Sequence, residues 1–202
     1  MEHPETVIQR YFDPASAHSE RIPPGDLGKA EYLLAIYADQ QLQRMIEAPE
    51  LQQLRIMHQQ KYAEVRACDA LIATTTSDRE KVNLVRHRRR VDIQARQDNE
   101  EIEREYSKQQ LLLEKSLENY LRSLKLCTRY NLSVFRATSL WFKHNDNHGA
   151  LAVTARWLPQ VSSHKFIPLV YQLSARMENV PGRFPEQLAA LVRRMARKHP
   201  FH

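Results

Sequence analysis

Apolar residues recur along this chain at intervals of three and four, the spacing of one helix face. Phe166, Leu169, Val170, Leu173 and Met177 fall at i, i+3, i+4, i+7 and i+11; Leu188, Leu191, Val192 and Met195 repeat the stripe after a Pro/Gly break. Two short helices, each apolar on one side, must bury those sides against each other and against earlier helices. Near the start, Val7, Ile8, Tyr11 and Phe12 predict a helix over about 4–17, and Pro23-Pro24-Gly25 with Gly28 predicts a loop. Leu33, Leu34, Tyr37, Leu42, Met45 and Ile46 predict a second helix over about 26–46. Pro49, suited to a first turn, opens a third that carries Leu51, Leu54, Met57, Tyr62, Val65 and Leu71.

Ser77 followed three residues later by Glu80 reads as a capping box in preference to a phosphorylation site. From Glu80 to Asn145 neither Pro nor Gly interrupts the pattern. Ile102, Tyr106, Leu113, Leu117, Tyr120 and Leu124 keep a spacing near 3.5 residues, as in a helix packed along a partner. The preceding stretch, 86–101, offers only Val91, Ile93 and Ala95, so it is expected to project into solvent or to lack order. A self-standing dimeric coiled coil is the rival reading. After a soft break at 128–131, Phe135, Leu140, Trp141 and Phe142 mark another helix, which polar 144–149 ends. Leu151, Val153, Trp157 and Leu158 mark the next, stopped by Pro159. Pro168 should kink its helix unless it lies in the first turn.

Gly is scarce, at 4 of 202 residues, and period-2 runs of β-branched residues are missing. The fold class is therefore all-α. Short loops between amphipathic helices point to an α-solenoid of antiparallel helical hairpins, with one long helical pair over about 75–126. The apolar positions Phe135, Leu140, Trp141, Phe166, Leu169, Leu173, Met177, Leu188 and Val192 are the expected core or interface.

Net charge is +6 with a pI near 9.4, which permits an acidic partner without showing one. The charge is local. Arg86, Arg88, Arg89 and Arg90 crowd one segment, and Asp98, Glu100, Glu101, Glu103 and Glu105 follow. The arginines read as a solvated face or a partner contact, and no aromatic residues interleave them to grip a single strand. Cys68 and Cys127 read as two buried thiols. No apolar signal core and no membrane-length apolar window occur, so the sequon Asn131-Leu132-Ser133 carries no weight. His144 and His148 sit at i, i+4, yet at a helix end and without a third ligand. No phosphate loop, nucleophile elbow, metal-spaced cysteine pair or kinase catalytic loop is present, so no catalytic, cofactor or metal residue is assigned.

Phe135-Arg136-Ala137-Thr138-Ser139-Leu140-Trp141-Phe142, followed by Lys165-Phe166-Ile167-Pro168-Leu169-Val170-Tyr171-Gln172-Leu173-Ser174-Ala175-Arg176-Met177, closely resembles the late FAT region of the ataxia-telangiectasia-mutated (ATM) checkpoint kinases, with fungal telomere-maintenance members nearest. Lys198-His199-Pro200-Phe201-His202 is similar to the family's His-Pro-x-His stretch, with Phe201 where another His is common. Weaker similarity runs upstream through Lys115–Tyr120, Leu34–Asp39 and Pro4–Gln9.

The resemblance implies a segment, 1–202, of the C-terminal part of a FAT-type solenoid that wraps and restrains a kinase domain. The implied parent is a nuclear serine/threonine kinase that signals DNA double-strand breaks and maintains telomeres. ATP and a divalent metal are implied for the kinase domain and none for this chain, which is expected to be inactive alone. Expected partners are that kinase domain, the rest of the solenoid and a second copy, with no direct nucleic-acid or membrane contact. An independent helical adaptor, binding protein or nucleic acid through 86–90, is the alternative.

Overall fold

The computed structural model describes residues 4–7, 9, 10, 14, 22–177 and 182–200. The expectations for Ile8, Tyr11 and Phe12, and for Phe201 and His202, lie outside the described residues. All regular structure among the described residues is helical. A short α1 (Pro4–Val7) precedes α2 (Pro24–Glu47), α3 (Pro49–Thr74), α4 (Asp78–Leu126), α5 (Ser133–Lys143) and α6 (His148–Trp157). Two 3₁₀ segments (Leu158–Gln160 and Ser163–Leu169) lead into α7 (Val170–Ala175), and α8 (Arg183–Lys198) follows. The chain divides into two compact units, residues 44–109 and residues 1–43 with 110–202.

In the unit 44–109, α3 and the first part of α4 form an antiparallel coiled coil. On α3 the shielded positions are Leu51, Leu54, His58, Lys61, Val65, Cys68 and Ile72; on α4 the seam series is Leu84, Arg88, Val91, Ala95, Asp98, Ile102, Glu105 and Gln109, with Asp92 and Lys108 half-buried beside it. Both series alternate steps of three and four, which keeps one seam facing its partner. Direction follows from the cross-helix pairs. Lys61 Nζ lies 2.7 Å from Asp98, His87 Nε2 2.7 Å from Glu64, and Arg88 Nε 2.9 Å from Asp69.

The stretch 86–101 thus neither projects alone nor lacks helix. Small Ala95 and the aliphatic stems of Lys61 and Arg88 fill the seam where 86–101 supplies no leucine, and the expected pair over 75–126 is one helix of 49 residues whose partner along its first part is α3. The threonine hydroxyls at the turn serve the end of α3, and Ser77 takes part through its backbone carbonyl. Thr74 and Thr75 Oγ1 donate back to Leu71 O, at 3.2 and 2.7 Å, and Ser77 O accepts from Lys81 N at 2.9 Å.

Lys61 and Asp98 are 22% and 14% exposed, so this ion pair sits inside the seam and fixes its register. Replacing both, as Lys61→Leu with Asp98→Leu, is expected to hold or raise thermal stability, whereas Asp98→Leu alone lowers it by stranding the lysine. Equal melting of the single and double variants would contradict a seam pair.

In the other unit, α4 from Leu112 to Leu124 is buried nearly all round, with Leu112, Leu113, Leu117, Tyr120, Leu121 and Leu124 at 4% exposure or less. Buried residues of the other helices complete the core of this unit. α2 contributes Leu34, Ala35, Ala38 and Leu42, α5 Val134, Leu140 and Trp141, and α8 Leu188, Leu191 and Met195. Gly28 lies within α2 and makes no loop. A Cβ there would stand 2.7 Å from Cys127 Sγ, and Gly28 O accepts from Ser123 Oγ at 2.8 Å, so the glycine permits close helix approach. The expected single helix 166–177 is a seven-residue 3₁₀ segment followed by a six-residue α-helix. Pro168 has no N–H to give an α-helical ladder, and regular α geometry starts only at Val170.

Candidate functional site: a groove on the C-terminal helices

Of the nine expected core positions, Leu140, Trp141, Phe166, Leu169, Leu173 and Leu188 are buried and Val192 is half-buried. Phe135 and Met177 are not core, being 43% and 47% exposed. Phe135 is turned about 100° from buried Val134 on α5, and Met177 follows the end of α7 and leaves its stripe. Their exposure is informative. Phe135, Phe142 and Leu169 line a groove of about 780 Å³ between α5 and α7, with Lys143 and Arg176 also lining it. Arg176 stacks its guanidinium 5.0 Å from the Phe142 ring centroid. Thr138, only 4% exposed, also lines the groove, and its hydroxyl has no hydrogen-bond partner.

The groove's walls are held by groups the sequence reading did not single out. Arg136 on α5 clasps Asp39 on α2 through two 2.6 Å hydrogen bonds, Nε to Oδ2 and Nη2 to Oδ1. The Tyr120 hydroxyl donates to the same Asp39 at 3.1 Å. Burial, then the adjacent Asp39 carboxylate, pushes the Tyr120 phenol far above its ordinary range, so it stays a donor. On the same face of α2, Glu31 is 2% exposed and lies 2.7 Å from Arg122 Nη2. Burial raises the Glu31 carboxyl above its ordinary value, against the lowering by Arg122.

Below the groove, Trp141 meets Phe142 and Phe184 at centroid distances of 5.5 and 5.1 Å. Lys165 is 8% exposed and donates to the Leu124 carbonyl and, at 2.6 Å, to that of Cys127, closing the C-terminus of α4. The signal for Glu31 and Asp39 was present as carboxylates falling on an apolar stripe.

Arg86, Arg89 and Arg90 are exposed, whereas Arg88 is engaged with Asp69. Arg89→Glu should leave melting within about 0.5 kcal/mol of the parent. A larger loss would mean that the arginine packs. Cys68 is buried and Cys127 half-buried, both as free thiols. Among the described residues no group of three or more His, Cys, Asp or Glu is placed to hold a metal, and no helix is long and apolar enough to cross a membrane.

His144 lies in the turn after α5, and burial lowers its pKa below the ordinary 6.5. The folded state therefore resists a proton that the unfolded chain accepts, so stability present above about pH 6.5 falls as the pH drops. His144→Gln should flatten that part of the melting profile relative to the parent. An unchanged acid slope would refute it.

The fold defines an all-α segment of packed helical hairpins. No protein-family model matches the chain. The chain is 33% identical over 203 residues to the serine/threonine-protein kinase Tel1 of Aspergillus oryzae and 32% identical to that of Emericella nidulans, covering 100% of this chain and 7% of each relative. Its fold matches the open conformation of CtTel1 with a TM-score of 0.79 at 24% identity, over 100% of this chain and 7% of that one. The solved FAT and kinase domain of CtTel1 gives the same TM-score and identity, over 100% of this chain and 13% of that one. The chain is thus a match, end to end, to a segment of the ATM-type serine/threonine protein kinases, the fungal Tel1 proteins among them. It spans about 7% of the length of these curated relatives.

Proposed function

We propose that this chain is the C-terminal part of a FAT-type helical solenoid that lies against, and restrains, the kinase domain of an ATM-like serine/threonine kinase. The observation carrying this reading is the unbroken match of the whole chain to Tel1 kinases, joined to an all-helical fold among the described residues. The parent kinase signals DNA double-strand breaks and maintains telomeres in the nucleus. ATP and its divalent metal belong to the kinase domain. A second copy is a further partner, in keeping with the solved CtTel1 dimer of C2 symmetry.

The test is a chimera of the Aspergillus oryzae Tel1 kinase in which this chain replaces the matching segment. Phosphorylation of a Ser-Gln peptide should be retained, and loosening the segment with Leu173→Ala should raise basal activity. A Leu173→Ala chimera with normal protein level and unaltered basal activity would remove the restraining role.

A further inference from the structure

The groove between α5 and α7 is lined by apolar side chains and by charge of one sign. Phe135, Phe142 and Leu169 supply the apolar surface, and Lys143 and Arg176 supply two cations. No carboxylate lines it among the described residues. Single exposed apolar side chains need no explanation, but here an aromatic at 43% exposure adjoins a concave surface. Tyr171, on α7 beside the groove residue Gln172, is 87% exposed. Thr138 adds a buried hydroxyl with no partner, a group that ordinarily finds a hydrogen bond. The Arg176 guanidinium carbon lies over the Phe142 ring, 5.0 Å from its centroid, a cation–π contact made through the π-face, not the N–H groups.

We propose that this groove seats an amphipathic helix from elsewhere in the same parent polypeptide, with leucine- or phenylalanine-type side chains inward and carboxylates along its flank. The apolar side chains would meet Phe135, Phe142 and Leu169, and the carboxylates Lys143 and Arg176. The concave surface, about 780 Å³, suits a few side chains of a helix laid in a groove. A basic or neutral helix would leave both cations unmatched, so the charge selects the partner. The same-chain source rests on the functional reading above and on the relatives' length, of which the matched segment is only 7%.

The binding experiment does not depend on that reading. The 202-residue chain is titrated into two labelled helical peptides of about 18 residues, five turns. Both carry Leu and Phe on one face; one has glutamate flanks and the other lysine flanks. Fluorescence anisotropy should show the glutamate peptide binding about tenfold more tightly, as two rim charge pairs would give. Lys143→Glu with Arg176→Glu should reverse the preference, and circular dichroism confirms that this variant is folded. Equal affinity for the two peptides, binding of neither, or an unreversed preference would each overturn the proposal. So would a dimer of the free chain that Phe135→Asp dissolves, since the occupant would then be a second copy. In the Tel1 chimera, Lys143→Glu with Arg176→Glu should raise basal activity as a same-chain helix is released. Peptide binding without any effect in the chimera would overturn the same-chain occupant, whereas failure of Leu173→Ala alone would count against the restraining role.

Discussion

Trp141→Ala is expected to lower the unfolding free energy by about 3–5 kcal/mol, the cost of emptying an aromatic site in a core. Trp141 is 2% exposed and forms a three-ring cluster with Phe142 and Phe184, both of which would face the void. Its indole Nε1 has no hydrogen-bond partner, so the side chain contributes by volume and ring packing. Trp141→Phe should therefore cost much less, below about 1.5 kcal/mol, because the ring stays and an unsatisfied donor goes. Urea melts of the three proteins decide it. If Phe and Ala cost the same, the indole is doing something other than filling space.

Arg136→Ala should be nearly as damaging, at about 3 kcal/mol, for an electrostatic reason. Asp39 has a side chain only 9% exposed, and Arg136 supplies two of its three hydrogen bonds. Without the guanidinium a carboxylate remains in the interior with one phenol for company. Asp39→Leu in addition to Arg136→Ala should recover much of the loss, since Arg136 itself is 41% exposed and no charge is then stranded. A double variant as unstable as the sum of the two singles would show that the residues act independently. Tyr120→Phe, removing one hydrogen bond and no charge, belongs near 1 kcal/mol.

The helical class, the Pro49 restart, the break near 128–131 and the stop at Pro159 were legible because Pro, Gly and a 3.6-residue period act locally. Two features were not. The 86–101 stretch looked too polar to pack because its seam is built from Arg88, Ala95 and Asp98, where charged stems and a small residue replace leucines. Gly28 read as loop punctuation because its reason for being there, the Cys127 side chain, is 99 positions away. The groove was half legible. Of its lining residues, Leu169 obeys the stripe, whereas Phe135 obeys it poorly and is exposed. Asp39 and Arg136 could have been suspected only by asking why a carboxylate interrupts an apolar face. The answer needed a residue 97 positions distant.

Lys165 gives the chain an order of completion. The last carbonyls of α4, at Leu124 and Cys127, are closed by an ammonium that lies about 40 residues later. During synthesis, at about 5–20 residues per second, the long helix leaves the ribosome with that end open to water. It stays open for seconds until residue 165 emerges. Lys165→Met should prolong that condition indefinitely, seen as faster amide exchange over 124–127 with the coiled-coil amides unchanged. The longest helix in the chain is thus finished from outside its own sequence.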